Sequence, residues 1–144
     1  MIKIICIGKI KEKYLEEGIN DYYKRISKYH KISLIELPDN DIETECKEIK
    51  KYLDKNDYII SMCIEGETLS SVELAQKIDK TFITNPCITF IIGGSNGLSN
   101  EVKQISNYRL SFSKLTYPHG LFRLILLEQI YRSFKINNNE SYHK

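Results

Sequence analysis

Two loops rich in glycine and hydroxyl residues follow apolar, strand-like runs in the last third of the chain. Residues 93–99 read Gly-Gly-Ser-Asn-Gly-Leu-Ser after the run 88–92, and residues 113–120 read Ser-Lys-Leu-Thr-Tyr-Pro-His-Gly after the run 109–112. Glycine lets a backbone approach a ligand closely. Hydroxyl groups, backbone amides and apolar side chains in one loop can hold an adenine. Two such loops at strand ends predict one ligand crevice.

Each loop taken alone also has a purely structural interpretation. The glycine loop is neither a dinucleotide fingerprint nor a phosphate loop, because it lacks the G-x-G-x-x-G spacing and a following Gly-Lys-Ser/Thr. An ordinary strand-to-helix turn explains it equally well. Taken alone, the second loop is better explained as a helix start capped by Ser113 or Thr116.

A long apolar stretch, residues 121–134, follows the second loop. It is apolar on nearly every side, and such a helix is buried on every side. A homodimer with this helix at the interface is the simplest way to cover it. Within it Glu128 and Arg132 stand at i, i+4 and can pair. The segment 142–144, Tyr-His-Lys, can stack on a base and touch phosphate, although by composition alone a disordered tail is favoured.

Composition sets the wider limits. At 144 residues we expect one domain over residues 1–144. The net charge of +2 does not by itself identify a nucleic-acid binder. No cysteine pair has Cys-x-x-Cys spacing, so we expect no metal site. Reduced cysteines without an export signal indicate the cytoplasm, and no apolar run is long enough for a membrane span.

The elements that position these loops alternate along the chain. Apolar runs predict strands at 2–7, 32–37, 58–64, 88–92 and 108–112, and helical spacing predicts helices at 13–29, 43–53, 70–82, 99–105 and 121–134. Ser70 and Glu73 form a capping box, and Ser99 can cap the fourth helix. This order favours an α/β fold with a mostly parallel sheet flanked by helices on both faces. In such sheets ligands bind at the carboxyl ends of the strands.

Four segments taken in order, 90–99, 110–119, 127–132 and 142–144, closely resemble the bacterial ribosomal large-subunit methyltransferase H family. The family belongs to the SPOUT class of RNA methyltransferases, and the resemblance covers the whole chain. It implies a C-terminal trefoil knot whose loops hold S-adenosylmethionine, and a homodimer. It implies methylation of N3 of a pseudouridine in helix 69 of 23S rRNA within the assembled ribosome.

The resemblance also assigns residues, position by position. The matching cofactor positions are Met62, Gly93, Gly94, Phe112, Ser113, Lys114, Leu115, Thr116 and Tyr117. Polar positions near the family's active site match His119, Glu128, Arg132, Tyr142 and His143.

Roles for these polar residues follow from their chemistry. His143 is the candidate base or orienting group for the N3 proton, and Tyr142 can stack on the target base. Arg132, Lys144 and the lysines of segment 9–13 would hold phosphates. Two alternatives stay open: a non-catalytic nucleotide-binding module, and a ribosome-associated RNA-binding module without cofactor.

Overall fold

The computed structural model describes residues 1–144, in which five strands alternate with five helices. The strands are β1 (Ile2–Ile7), β2 (Ile32–Leu37), β3 (Asp57–Thr68), β4 (Cys87–Ile92) and β5 (Tyr108–Ser111). The helices are α1 (Lys13–Ser27), α2 (Ile42–Lys50), α3 (Ser71–Thr84), α4 (Asn100–Ile105) and α5 (His119–Asn137). No helix has the length and apolarity that crossing a bilayer requires.

The strands form one sheet in the order β2-β1-β4-β3-β5, and every neighbouring pair is parallel. The predicted parallel sheet is therefore confirmed. β4 lies on one side of β3 and β5 lies on the other. The loops that leave β4 and β5 consequently face each other across the carboxyl end of β3. Such a change in strand order is where open parallel sheets bind ligands.

Two apolar layers, one on each face of the sheet, hold the fold together. β1 and β4 are buried along their whole length, as expected for central strands covered on both faces. Ile2, Ile4 and Cys6 point to the layer under α1, α3 and α5. Ile5 and Ile7 alternate with them and point to the layer under α2 and α4.

Local capping residues set most helix starts. Ser70 and Glu73 form the predicted capping box at α3, and the Ser99 side chain caps α4. The proposed cap of the last helix by Ser113 or Thr116 is wrong, because α5 begins after Pro118 without a side-chain cap. The Ser113 hydroxyl instead accepts a hydrogen bond inside the preceding loop.

α5 is covered on much of its surface by α1 and α3 of the same chain. Its apolar side chains without any exposure are Leu126, Leu127 and Ile130. Leu121 remains 37% exposed. The apolar character of the helix therefore has an explanation within one chain, and only part of its surface remains for a second copy.

Arg123 is the unexpected residue of this helix, since it is only 2% exposed. Its Nη1 donates to Glu36 Oε2 at 2.6 Å, and its Nη2 donates to the carbonyl oxygen of Gly8 at 3.0 Å. A buried guanidinium requires such partners. Arg123 therefore ties α5 to the ends of β1 and β2 and is unavailable to RNA phosphates.

Candidate functional site

The principal cavity opens at the carboxyl ends of β3, β4 and β5 and has a volume of about 320 Å³. This lies within the usual range for small-molecule sites. Its lining contains eight of the nine predicted cofactor positions, namely Met62, Gly93, Gly94, Phe112, Ser113, Leu115, Thr116 and Tyr117. Lys114 does not line it. His119, the first residue of α5, does.

The first wall is the tight turn after β4. A Cβ at Gly93 would lie 2.7 Å from the carbonyl carbon of Gly97, so a side chain at position 93 has no room. Gly97 has a φ of +73°, which favours glycine. Its amide donates to the carbonyl oxygen of Gly94 at 3.0 Å. Both glycines are needed for a wall made of backbone.

The second wall is the loop 112–117, which lies outside any helix or strand. Ser113 organises it: its hydroxyl accepts from the Leu115 amide at 3.0 Å and lies 3.0 Å from the Tyr117 hydroxyl. Phe122 holds the loop against α5, with ring centroids 5.2 Å from Phe112 and 5.8 Å from Tyr117. The loop thus presents backbone polar groups beside aromatic side chains.

The third wall comes from β3, where pairing with β5 shifts register between Met62 and Glu67. The intervening residues bring Cys63 and Glu65 to the cavity, and Lys103 of α4 lies opposite. Lys103 Nζ is 2.5 Å from Glu65 Oε1. A hydrogen bond from Lys103 lowers the pKa of Glu65 below its ordinary value.

Neither Glu65 nor Lys103 is among the site residues predicted from the sequence. Lys103 lies on a short helix and carries no local pattern that separates it from a solvated surface lysine. Only the three-dimensional structure places the two side chains at one rim.

A second cluster lies near the other end of α5. Arg132 donates from Nε and Nη2 to Glu128 Oε1 at 2.9 and 2.5 Å. The Tyr142 hydroxyl donates to the same oxygen at 3.2 Å, and the Arg132 guanidinium lies 4.9 Å from the Tyr142 ring centroid. Tyr142 also packs edge-on against Tyr131 at 4.9 Å. These contacts order the segment that composition alone described as a disordered tail.

His143 joins this cluster through its Nδ1, which lies 3.0 Å from Arg132 Nη1. A guanidinium can only donate, so Nδ1 is the acceptor and the ring proton sits on Nε2. His143 can therefore donate from Nε2. Burial, followed by the neighbouring Tyr22 hydroxyl and Glu128 carboxylate, raises the pKa of Tyr142, and its phenol stays protonated at neutral pH.

The two groups of predicted polar residues are therefore separate within one chain. His119 lies at the cavity, whereas Glu128, Arg132, Tyr142 and His143 do not line it. From His119 to Arg132 the helix rises by roughly 20 Å, at about 1.5 Å per residue. The structure brings the predicted site residues together as two clusters at opposite parts of α5.

Comparisons with known proteins identify the family of the chain. A family profile described as "Predicted SPOUT methyltransferase" matches residues 1–143. Ribosomal RNA large subunit methyltransferase H of Clostridioides difficile (strain 630) is 50% identical, and the match covers 99% of each chain. The chain belongs to the ribosomal RNA large subunit methyltransferase H family of SPOUT methyltransferases. The protein of the same name from Bacillus thuringiensis subsp. konkukian (strain 97-27) is 49% identical, and the match again covers 99% of each chain.

One solved structure shares this fold at low sequence identity. A probable methylase family protein from Haemophilus influenzae Rd KW20 superposes with a TM-score of 0.60 at 15% identity. The match covers 99% of this chain and 70% of that chain. For this member of the methyltransferase H family, the likeness concerns the fold alone.

The potential metal ligands and the thiols of this family member were compared with the position of the cavity. No group of three or more histidine, cysteine, aspartate or glutamate side chains is arranged to hold a metal ion. All four cysteines are free and buried. Cys63 is the one that lines the cavity.

Proposed function

We propose that this protein transfers the methyl group of S-adenosylmethionine to ribosomal RNA of the large subunit. One observation carries the proposal. The cavity is walled by two of the four segments on which the family resemblance rests, the glycine turn after β4 and the loop before α5. The relatives from C. difficile and B. thuringiensis are named ribosomal RNA large subunit methyltransferase H, and each match covers 99% of both chains.

The residues that line the cavity fit this methyl donor. Backbone groups of the loop 112–117 can bind an adenine edge, while Met62 and Phe122 supply apolar walls. Met62 offers a flexible thioether, which can fill an apolar wall beside the donor. The missing Cβ at Gly93 leaves that wall as bare backbone. S-adenosylmethionine, when bound, supplies a methyl group already activated on a sulfonium. The chain must then align donor and acceptor, which accounts for much of the rate in such reactions.

The finer target that we propose is N3 of a pseudouridine in helix 69 of 23S rRNA. The resemblance supports it, and the residues are compatible with its chemistry. N3 must lose its imino proton to solvent water, and cationic groups favour the anionic base that remains. Arg132 supplies a fixed positive charge, and the Nε2 of His143 can donate to a base oxygen. We therefore assign His143 an orienting role, since its Nδ1 already accepts from Arg132. Tyr142 stacks on or hydrogen-bonds to the base.

A second copy of the chain would complete the site. The tail cluster of one chain is too far along α5 to cover the cavity of the same chain. We propose a homodimer through the partly exposed face of α5, which includes Leu121 and Ile125, with the tail of one copy meeting the cavity of the other. Sedimentation of the purified protein should give twice the chain mass of 16.9 kDa.

Mixed dimers test this arrangement. We expect Gly93→Ala chains and chains lacking residues 142–144 to be inactive alone. Mixed and re-equilibrated, they should recover about a quarter of the wild-type rate, because half the dimers are heterodimers and each holds one intact site. No recovery in dimers shown to be mixed contradicts a site built from two copies.

The substrate state is also part of the proposal. A net charge of +2 and the exposed lysines of segment 9–13 would bind free RNA weakly and in a salt-dependent way. The assembled ribosome would supply further contacts, and the enzyme would then act in the cytoplasm. Residues 1–144 act as one domain in this proposal. The trefoil knot stays a prediction.

Calorimetry and methyl transfer together test the proposal against its alternatives. We expect S-adenosylmethionine to bind, and ribosomes to accept the methyl group faster than free helix 69 RNA. Binding without transfer to either RNA supports a non-catalytic nucleotide-binding module. No binding of S-adenosylmethionine supports a ribosome-associated RNA-binding module. Equal rates on free RNA and on ribosomes contradict the ribosome requirement alone.

A further inference from the structure

The rim of the principal cavity carries one acid and one base. Glu65 is the only carboxylate among the residues that line it, and Lys103 is the only lysine or arginine. The rest of the lining is apolar, hydroxylic or glycine apart from His119. A cavity with one carboxylate and one ammonium group matches a ligand that carries one charge of each sign close together.

Both side chains are placed at the rim by the fold rather than by a flexible loop. Gly66, next to Glu65, packs so closely on β5 that an added Cβ would lie 2.8 Å from the Arg109 carbonyl carbon. Arg109 Nε donates to the carbonyl oxygen of Lys103 at 3.2 Å. Side-chain exposure is 54% for Glu65 and 23% for Lys103, so both charged groups can be reached from the solvent side of the cavity.

We propose that Glu65 and Lys103 recognise the zwitterionic amino-acid end of the methyl donor. This inference rests on the proposed function. The α-ammonium group of the methionine moiety donates to the Glu65 carboxylate, and its α-carboxylate accepts from Lys103 Nζ. The adenosine moiety then occupies the apolar interior between Met62 and the loop 112–117.

Because Glu65 and Lys103 exchange one ion-pair partner for another, the free-energy cost of binding the ligand in this way is small. In the free protein Glu65 and Lys103 neutralise each other at 2.5 Å. When the ligand binds, each meets an opposite charge of the ligand, and the net charge of the site is unchanged. Because the Glu65 side chain is more than half exposed, solvent screens this ion pair and it contributes little to folding. Separating it is therefore a small loss. Glu65 and Lys103 are positioning residues in this account, because they contact the donor away from its methyl group.

The alternative is that the pair only fastens α4 to the register shift of β3. The chain offers a matched comparison for that role. Lys50 of α2 forms an ion pair with Glu101 of α4, and neither residue lines the cavity. Lys50→Gln therefore removes a fastening contact of the same helix without touching the rim.

Two ligands that differ only in the amino-acid end provide the test. S-adenosylhomocysteine and 5′-methylthioadenosine are both uncharged thioethers at sulfur, and only the former carries the α-ammonium and α-carboxylate groups. Their affinities are measured by calorimetry on the full chain for wild type, Glu65→Gln, Lys103→Gln and Lys50→Gln. Thermal unfolding verifies that each variant is folded.

We expect Glu65→Gln and Lys103→Gln each to weaken the binding of S-adenosylhomocysteine about tenfold, because each removes one charge-assisted hydrogen bond at a partly exposed site. The affinity for 5′-methylthioadenosine should stay within about twofold, and Lys50→Gln should change neither ligand. Unchanged binding of S-adenosylhomocysteine overturns the inference, and so does an equal loss for both ligands. If the wild type binds S-adenosylmethionine but the variants give either of these two results, this inference fails and the proposed function stands. If wild type binds none of these nucleosides, the proposed function fails with it.

Discussion

Arg132→Met is the substitution that most sharply tests the cluster formed by Glu128, Arg132, Tyr142 and His143. The Arg132 and Glu128 side chains are 24% and 19% exposed, so their pairing is partly shielded from solvent. The substitution removes the hydrogen bonds to both carboxylate oxygens of Glu128 and the contact with His143. It also removes the guanidinium that lies 4.9 Å from the ring centroid of Tyr142.

The expected loss is about 2 kcal/mol in the free energy of unfolding, because charge-assisted hydrogen bonds at a partly buried site contribute more than surface pairs. For a chain of this size that corresponds to a fall of roughly 6 °C in unfolding temperature. Methyl transfer to ribosomes should fall at least about tenfold. The affinity for S-adenosylmethionine should stay within about twofold, since Arg132 does not line the cavity.

Arg25→Met is the matched control. Arg25 pairs with Asp21 at the same i, i+4 spacing and lies 5.3 Å from the ring centroid of Tyr22. Its pair is exposed, at 43% and 53% for the two side chains. We expect no measurable change in unfolding temperature. The reasoning is refuted if Arg132→Met unfolds at the wild-type temperature, or if Arg25→Met destabilises the protein equally.

Three further predictions concern the cavity, the sheet and the thiols. Gly93→Ala should abolish binding of S-adenosylmethionine in calorimetry, because its Cβ would lie 2.7 Å from the Gly97 carbonyl carbon; retained affinity would show that this wall yields. Burial raises the pKa of Asp57, but hydrogen bonds from Lys3, the Asp54 amide and Thr89 outweigh it and leave the pKa lowered. The stability that Asp57 contributes is therefore present above its unfolded pKa of about 4 and lost as the pH falls through the lower folded value. The free energy of unfolding, measured with urea, should fall as the pH is lowered through that window. Asp57→Asn should reduce the slope of this free energy against pH; an unchanged slope contradicts the assignment. Burial raises the pKa of Cys6 to about 12, so iodoacetamide at pH 8 should label it only after unfolding, and rapid labelling of the native protein would count against its burial.

Local sequence patterns predicted the parts of the fold that depend on neighbours in the chain. β1 and β4 are continuous apolar runs, and both are buried throughout. The capping box at Ser70 and the cap at Ser99 are likewise set within a few residues. The two loops after β4 and β5 were located because glycine, proline and hydroxyl residues cluster there.

Long-range contacts account for what the sequence did not predict. β3 was expected to end at Ile64 but reaches Thr68, because after a register shift it pairs again with β5. Arg123 is a basic residue within an apolar stretch of sequence. Its burial depends on Glu36, which lies 87 positions away. The position of Tyr142 depends on packing against Tyr131, which no composition argument includes.

Recovery of the methylated nucleotide tests the central claim most directly. Ribosomes from a strain that lacks the modification are incubated with this protein and S-adenosylmethionine carrying a labelled methyl group. The large-subunit RNA is then digested and the labelled nucleotide is mapped. The account predicts one labelled position, a pseudouridine of helix 69 methylated at N3, and no label when the Gly93→Ala variant is used. Label elsewhere in the RNA contradicts the proposed target, and no label in any ribosomal RNA contradicts the proposed activity.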